Sequence, residues 1–196
     1  MILIIDTSYS NLLSLGIVKG NFILSTQVKG ENSFKLFWDT LGKLLDLSKS
    51  KKDEINIVSV SIGPGPFTAL RNGISIARTI SQIKNIPIVK FSLTEVIEEH
   101  FKNLEPSIIF DGRAKKLIIK RHKNLNLELI KIDELKYLDG NLISVGCKEI
   151  LKNSEINKIS INYEYLPIEM IFDTIKTKIE NKEFYNFNEV LPIYHK

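Results

Sequence analysis

The sequence predicts an α/β fold with mixed sheets, because two units that each start with paired strands and continue into helices follow one another. An apolar run at residues 2–6 precedes two further runs joined by Lys19-Gly20-Asn21, and this turn signal predicts a three-strand meander. A strand, a glycine-rich turn and a helix follow over residues 55–84. A chain that begins with a meander is not expected to form the all-parallel sheet of dinucleotide-binding proteins.

The first unit contains the predicted meander, two further strands and three helices. Its strands are expected at 2–6, 12–18, 22–28, 55–62 and 86–90. Apolar residues on one helical face predict a helix at 34–48 with Ser33 as its N-cap, namely Phe34, Phe37, Trp38, Leu41, Leu44 and Leu45. Helices are also expected at 67–84 and at 93–103, the latter capped by Ser92.

A second unit begins near Pro106. Its strands are expected at 107–110, 117–121, 127–132, 141–145 and 158–161, and its helices at 148–152 and 165–181. Pro167 is expected either to break the last helix near Leu166 or to mark its start. The last residues, 184–196, show no clear period. We therefore divide the chain into an N-terminal lobe, residues 1–104, and a smaller C-terminal lobe, residues 105–196.

Composition places the chain among ordinary globular proteins, with 43% hydrophobic and 26% charged residues. No apolar run approaches the roughly 20 residues that a membrane helix needs, so no membrane association is expected. The first apolar run is stopped by Asp6 and is predicted to be a buried strand, not a secretion signal. A single cysteine, Cys147, allows no internal disulfide, which favours a cytoplasmic location, and it is expected to be a small core residue.

A formal net charge of +4 permits an acidic partner such as RNA. The densest basic segment lies at 113–123. We expect it to be a solvated edge strand kept apart from other strands by its lysines. The alternative is a nucleic-acid contact, but no aromatic residues are interleaved there for base stacking.

Two glycines and two prolines at 63–66 predict a tight, stiff turn between a strand and the helix at 67–84. A turn of this kind can present backbone N–H groups to an anion or to a partner carbonyl. The alternative is a sharp strand-to-helix connection that needs glycine for its own geometry.

The motifs of several enzyme classes are missing from the sequence. None of the three histidines, His100, His122 and His195, has a second histidine three or four residues away. A metal site with paired histidines on one helix is therefore not expected. The sequence has no His-Glu-x-x-His, no Gly-x-Ser-x-Gly and no Gly-x-x-x-x-Gly-Lys-Ser/Thr motif. A metalloprotease, a serine hydrolase with a nucleophile elbow and a P-loop NTPase are therefore disfavoured.

Four segments together resemble one known family, TsaB (YeaZ). They are Ile-Leu-Ile-Ile-Asp-Thr-Ser at 2–8, the turn and helix start at 63–73, Asp-Gly-Arg at 111–113, and Leu-Pro-Ile-Tyr at 191–194. The resemblance runs in order over essentially the whole length. The chain departs from the usual family pattern at Asn32, Pro66, Ala69 and Gly112.

The resemblance implies a two-lobed fold of the actin/Hsp70/sugar-kinase (ASKHA) type. It also implies a role as the non-catalytic partner of TsaD, which, with the ATPase TsaE, transfers a threonylcarbamoyl group to adenosine 37 of tRNA (t6A biosynthesis). The chain is then expected to meet tRNA only indirectly, through the complex, and to form a homodimer when TsaD is absent.

In this fold the turn after the first strand can hold phosphates, and Asp6, Thr7 and Ser8 occupy that place. Asp111 is either a Mg²⁺-binding carboxylate of the second lobe or the cap of a tight turn. We expect no cofactor and weak or no ATP binding by the isolated chain. Two alternatives stay open: a small ASKHA-type ATPase that uses these residues, and a peptidase-like enzyme.

The helices at 34–48 and 67–84 both carry more apolar residues than one sheet contact requires. The resemblance implies that these two helices pair with two helices of TsaD. The predicted interface residues are Phe34, Trp38, Leu41, Phe67, Ala69, Gly73, Ile76 and Ile80. If this is right, Ile76→Asp should abolish partner binding and leave a folded monomer. The alternative is that these faces belong to the core of the chain.

Overall fold

A computed structural model describes residues 1–30, 33–112, 116–124, 126–151 and 159–193; the side chains of residues 33, 34, 148 and 149 are not described. These residues form two mixed five-stranded sheets with helices packed on them. The predicted α/β architecture with mixed sheets is confirmed. No helix in the described part of the chain is long and apolar enough to span a bilayer.

The first sheet has the strand order β3-β2-β1-β4-β5. The predicted meander forms its antiparallel part, with β1 at Ile2–Tyr9, β2 at Leu12–Lys19 and β3 at Phe22–Lys29. The strands β4 (Ile57–Ser61) and β5 (Ile88–Phe91) continue the sheet in parallel with β1.

Helices α1 (Ser33–Leu47) and α2 (Phe67–Lys84) pack against this sheet and against each other. Their buried faces join the inner faces of β1, β2 and β4 in one hydrophobic core. A short helix, α3 (Leu93–His100), follows β5. Its predicted cap is confirmed, since the Ser92 hydroxyl accepts a hydrogen bond from the Glu95 N–H at 3.1 Å and the Glu95 carboxylate accepts one from the Ser92 N–H at 2.8 Å.

The second sheet has the strand order β10-β9-β6-β7-β8. Its strands are β6 (Ser107–Asp111), β7 (Lys116–Lys120), β8 (Leu127–Lys131), β9 (Leu142–Val145) and β10 (Ile159–Tyr163). β6, β9 and β10 run in parallel, while β7 is antiparallel to both of its neighbours. Helix α4 spans Lys148–Leu151, and the last helix, α5, spans Ile168–Glu180.

A second hydrophobic core joins the two units, because α5 returns to pack on α3, β5 and β2 of the first unit. Apolar side chains of both sheets contribute to this core, including Ile4, Val89, Ile108 and Ile143. A smaller third core lies on the other face of the second sheet and contains the buried Cys147, as predicted. The division into lobes at residues 104 and 105 stays a prediction.

Two expectations are corrected by the structure. The strand β7 is not an edge strand, because β8 covers its outer side; its lysine Lys120 forms an ion pair with Glu98 instead. The helix after β5 ends at His100, where the chain turns into a short 3-10 helix at Lys102–Leu104. The last helix begins at Ile168 with Pro167 as its N-cap residue, so of the two predicted possibilities the proline marks the start of the helix and does not break it.

Candidate functional site

The turn at 63–66 and the residue before it are fixed by hydrogen bonds to Ser61, to the start of α3 and to the last described residue. Gly63 has a φ of +108°, which disfavours any side chain. Its carbonyl accepts a hydrogen bond from the Leu93 N–H at 2.8 Å, and its own N–H donates to the Ser61 hydroxyl at 3.3 Å. The Ile62 carbonyl accepts from the Ile193 N–H at 2.8 Å. The turn therefore fixes where α2 begins relative to α3 and to the end of the described chain.

Two glycines of the predicted motif serve close packing against β1. A Cβ atom on Gly65 would overlap the backbone of Ser8, and a Cβ atom on Gly73 would overlap the Thr7 side chain. Gly73 is therefore buried against β1 and does not face a partner, which corrects its place in the predicted interface. The alternative role of the glycines, as the geometry of a sharp connection, is the one that these contacts support.

The carboxyl of Asp6 lies fully buried at the end of β1. One of its oxygens accepts a hydrogen bond from the Ser8 N–H at 2.9 Å, and the Ser8 hydroxyl lies 2.5 Å from that of Ser61. In the described part of the chain, neither the other Asp6 oxygen nor the Thr7 hydroxyl has a hydrogen-bond partner. Burial raises the pKa of Asp6, and the hydrogen bond from Ser8 offsets only part of that rise.

Beside Asp6, Tyr9 connects the two units of the chain. Its buried phenol oxygen accepts a hydrogen bond from the Leu166 N–H at 2.8 Å, just before α5. Burial and the neighbouring Asp6 charge raise the pKa of the Tyr9 phenol well above its ordinary value. The phenol therefore stays neutral, and the contact remains a hydrogen bond between a neutral donor and a neutral acceptor.

The cleft between the two units is narrow at the predicted phosphate site. Ser8, Gly65, Asp111 and Gly146 line it together with Phe110, and its free volume is about 20 Å³. That volume holds about one water molecule. The cleft that these described residues line is therefore smaller than a nucleotide. Asp111 and Ser8 meet at the cleft, whereas Asp6 and Thr7 do not line it.

Asp6→Asn is expected to stabilise the fold at neutral and alkaline pH. The pKa of Asp6 in the folded protein lies above the ordinary value of 3.8, so the folded state binds the proton more tightly than the unfolded state does. Its stabilising contribution is complete below that value and is lost as the pH rises through the folded pKa. Asparagine carries no charge to desolvate, and we expect a gain of about 1–2 kcal/mol at pH 8 that shrinks towards pH 4.

Urea unfolding of both proteins across this pH range measures the difference. Asp39→Asn, at an exposed position of α1, is the matched control and should show no comparable pH-dependent gain. If Asp6→Asn destabilises the protein equally at every pH, the carboxyl is ionised and well solvated in the fold, and the assignment is wrong.

The histidines occupy separate places. His100 lies between α3 and α5, with its Nδ1 2.9 Å from the Val96 carbonyl oxygen and its Nε2 3.3 Å from an Asp173 carboxylate oxygen. His122 contacts Glu105 at 3.2 Å, and His195 lies outside the described residues. Among the residues that the structure describes, no three His, Cys, Asp or Glu side chains form a group that could hold a metal ion. Burial raises the pKa of the Cys147 thiol to about 12, so it remains protonated.

The predicted interface residues on α1 and α2 divide into exposed and buried side chains. Trp38 is 40% exposed and Phe67 51% exposed, and Ala69 is half-buried. In contrast, Leu41 and Ile76 are each 1% exposed and Ile80 is 8% exposed, because they belong to the core between these helices and the sheet. The Phe34 side chain lies outside the described residues. A partner can therefore reach Trp38 and Phe67, but it cannot reach Ile76 in this fold.

An apolar groove of about 180 Å³ lies beside Trp38. We call it the Trp38 groove; its walls are Trp38 and Leu41 of α1, Ile80 and Ile83 of α2, Ile55, and the side chains of Lys52 and Lys84. Ile83 is 78% exposed and was not among the predicted interface residues. It follows Ile80 by three positions on the same helical stripe, and this spacing is the sequence signal that could have identified it. The groove is an apolar surface between α1 and α2 that the described part of the chain leaves open.

Two aromatic contacts fix the exposed rings on these helices. The Trp38 ring packs edge-on against the buried Phe37 ring, with centroids 4.9 Å apart. The Arg71 guanidinium lies 5.2 Å from the centroid of the Phe67 ring, one helical turn earlier. Both rings are thus held in place before any partner binds.

Sequence comparison shows which proteins this chain is similar to. The family model described as "TsaD: tRNA N6-adenosine threonylcarbamoyltransferase" matches residues 27–191. The tRNA threonylcarbamoyladenosine biosynthesis protein TsaB of Buchnera aphidicola subsp. Acyrthosiphon pisum is 29% identical, over 100% of this chain and 98% of that protein. TsaB of Bacillus subtilis is 26% identical, over 90% of this chain and 77% of that protein.

Structural comparison agrees on the fold. The solved structure of YeaZ from Pseudomonas aeruginosa superimposes with a TM-score of 0.72 and covers 98% of both chains at 15% sequence identity. At this identity the likeness concerns the fold. Because the match covers 98% of both chains, the two proteins share the α/β architecture described above.

Proposed function

Because the chain belongs to the TsaD (tRNA N6-adenosine threonylcarbamoyltransferase) family and, within it, to the TsaB (YeaZ) proteins, we propose that it acts in t6A biosynthesis as a non-catalytic subunit. It acts as a scaffold and activator that binds TsaD, with TsaE, during threonylcarbamoyl transfer to adenosine 37 of tRNA. It meets tRNA through the complex and pairs with a second copy of itself when TsaD is absent.

The single observation that carries this proposal is the Trp38 groove. An exposed indole, a neighbouring isoleucine that is 78% exposed and an apolar floor form one surface on two adjacent helices. Tryptophan anchors of this kind, set in apolar surroundings, supply much of the binding energy of protein interfaces. Helices of a partner can pack against α1 and α2 here without displacing any residue of the core.

The geometry around Asp6 supports the non-catalytic part of the proposal. The cleft that the described residues line at the predicted phosphate site has a free volume of about 20 Å³, which holds about one water molecule. His100 and His122 contact separate carboxylates, Asp173 and Glu105, on different elements. The residues that the ATPase alternative needs are therefore not arranged around a space that a nucleotide could enter.

The decisive experiment is co-expression with the cognate TsaD, followed by size-exclusion chromatography with light scattering. We expect the unaltered chain to form a complex with TsaD. Trp38→Asp should weaken the affinity of the chain for TsaD about 100-fold, since the substitution removes an aromatic anchor and places a charge on an apolar surface. Tyr137→Asp is the matched control, because Tyr137 is 74% exposed and follows β8, far from α1 in the chain.

Two results would contradict the proposal. If Trp38→Asp binds TsaD as tightly as the unaltered chain does, this surface is not the interface. If the pure chain hydrolyses ATP in a Mg²⁺-dependent manner, or cleaves peptides, it is an enzyme in its own right. An equal loss of binding in Tyr137→Asp would indicate a general defect of folding.

A further inference from the structure

We propose that the Trp38 groove receives one aromatic side chain from an amphipathic helix of the partner, and that a carboxylate on the same helix lies between Lys52 and Lys84. This inference rests on the proposed function, since it names the chemistry of the partner surface that the groove accepts. It concerns which aromatic side chain and which charged neighbour of the partner fit the groove, and both follow from the residues that line it.

The size of the groove argues for an aromatic ring. An engineered cavity of about 150 Å³ lined by leucine, isoleucine and phenylalanine stays dry and binds benzene. The Trp38 groove has a similar volume, about 180 Å³, and an aliphatic lining of Leu41, Ile55, Ile80 and Ile83. One of its walls is the Trp38 indole, against which a second ring packs edge-to-face or offset. A methyl-sized side chain would leave most of this volume unfilled.

The charge at the rim argues for an acidic neighbour. Both charged residues that line the groove, Lys52 and Lys84, are basic. The Lys84 ammonium lies 3.8 Å from a carboxylate oxygen of Asp53, which is fully exposed, so this ion pair is loose. Glu54, the next acid along the chain, pairs instead with Lys19 at 2.6 Å. The two lysines and Asp53 give the rim one net positive charge, which a partner carboxylate would neutralise.

The lining of the groove argues for a helix as the carrier of both groups. Most of its lining residues belong to two adjacent helices, Trp38 and Leu41 to α1 and Ile80, Ile83 and Lys84 to α2. A third helix that lies in such a groove presents residues four positions apart on the same face. An aromatic residue and an acidic residue at that spacing can reach the floor and the rim together.

Trp38 is the only tryptophan of the chain, so its fluorescence reports on this groove directly. The probe is a set of Ala/Gln-based helical peptides of about 16 residues, long enough to form a helix alone. They carry Phe, Leu or Ala at a central position and Glu, Gln or Lys four residues later. We expect the Phe/Glu peptide to bind the full chain and to shift the Trp38 emission. Its affinity should be roughly tenfold higher than that of the Leu/Glu peptide and about 100-fold higher than that of the Ala/Glu peptide.

The charge requirement is tested by reversal. Lys84→Glu should weaken the Phe/Glu peptide roughly tenfold and favour the Phe/Lys peptide. Lys136→Glu, which lies beyond β8 in the second unit, is the matched control and should change neither affinity. Raised salt should reduce the difference between the Glu and Lys peptides without removing the preference for Phe over Ala.

Equal Trp38 responses to the Phe, Leu and Ala peptides would overturn the aromatic occupant, and equal binding of the Glu and Lys peptides would overturn the acidic neighbour. Because the chain is proposed to pair with itself when TsaD is absent, the peptides are added at a protein concentration at which light scattering shows monomers. If TsaD binds but leaves the Trp38 emission unchanged, the proposed function stands and this inference fails. If TsaD does not bind, the proposed function fails, and the peptides still decide the chemistry of the groove.

Discussion

Ile76→Asp is expected to unfold the protein, at a cost of about 5 kcal/mol, not to yield a folded monomer that has lost its partner. Ile76 is 1% exposed and packs in the core beneath α2 with Ile74 and Ala77. Removing a buried isoleucine side chain costs about 2–5 kcal/mol by itself, and an unpaired carboxylate in its place adds desolvation. The total approaches the stability of an ordinary domain, about 5–15 kcal/mol.

Two controls on the same helix separate folding from binding. Ile76→Val should cost only about 0.5–1.5 kcal/mol, because it removes one methylene and introduces no charge. Ile83→Asp, seven residues later and 78% exposed, should leave stability within about 0.5 kcal/mol and weaken TsaD binding. Circular dichroism in urea measures the first effect, and co-purification measures the second. A cooperative urea unfolding curve for Ile76→Asp with the midpoint of the unaltered protein would show that α2 packs differently from the arrangement described here.

Gly65→Ala is expected to cost about 3 kcal/mol, a large effect for a single methyl group. The added Cβ would overlap the carbonyl oxygen, Cα and carbonyl carbon of Ser8. Overpacking of a core costs typically 1–3 kcal/mol when side chains can yield, and here the neighbour is backbone at the end of β1. To relieve the overlap, the turn would have to move away from β1 and take the start of α2 with it.

Gly42→Ala is the matched control, since a Cβ atom at this position of α1 would meet nothing within 4 Å. Alanine is the better helix former, so this variant should be more stable by about 0.5–1 kcal/mol. Chemical denaturation of both variants checks the contrast. Equal stability of the two variants would mean that the turn at 63–66 does not pack against Ser8 as described.

Helix α2 has two faces with different surroundings. The inner face holds Gly73 against Thr7 and buries Ile76 beneath the helix. The outer stripe ends in Ile83 at the Trp38 groove. Most of the apolar residues of α2 thus belong to the chain's own core, and a few at its outer stripe stay exposed, where we propose that a partner binds. Changes at the two faces therefore have different consequences, one for folding and one for binding.

Most helices and strands were predictable from local pattern. The helix predicted at 67–84 has the same bounds in the structure. The glycine- and proline-rich turn before it marks its start in the sequence, and the structure shows that Asn85 ends it in a left-handed conformation. The meander followed from the Lys19-Gly20-Asn21 turn, and the family resemblance from the segments at 2–8 and 63–73. These features depend on neighbours within a few residues, which the sequence displays directly.

The residues that we propose to face a partner were only partly predictable. Hydrophobic periodicity identified Trp38, Ile76 and Ile80 as apolar residues of α1 and α2, but it says nothing about what each side chain packs against. Likewise, the sequence could not show that β8 covers β7, or that Asp6 is buried with one carboxylate oxygen unpaired.

The amino-acid sequence alone thus determined the order of most elements, the tight turn before α2 and the family resemblance, since each depends on short-range pattern. Only the tertiary structure decided that Ile76 belongs to the core while Trp38 and Ile83 border an open groove. The physical reason is that burial depends on which distant segments arrive at a surface. Here the sheet covers the inner face of α2, and no described segment of the chain covers the groove beside Trp38.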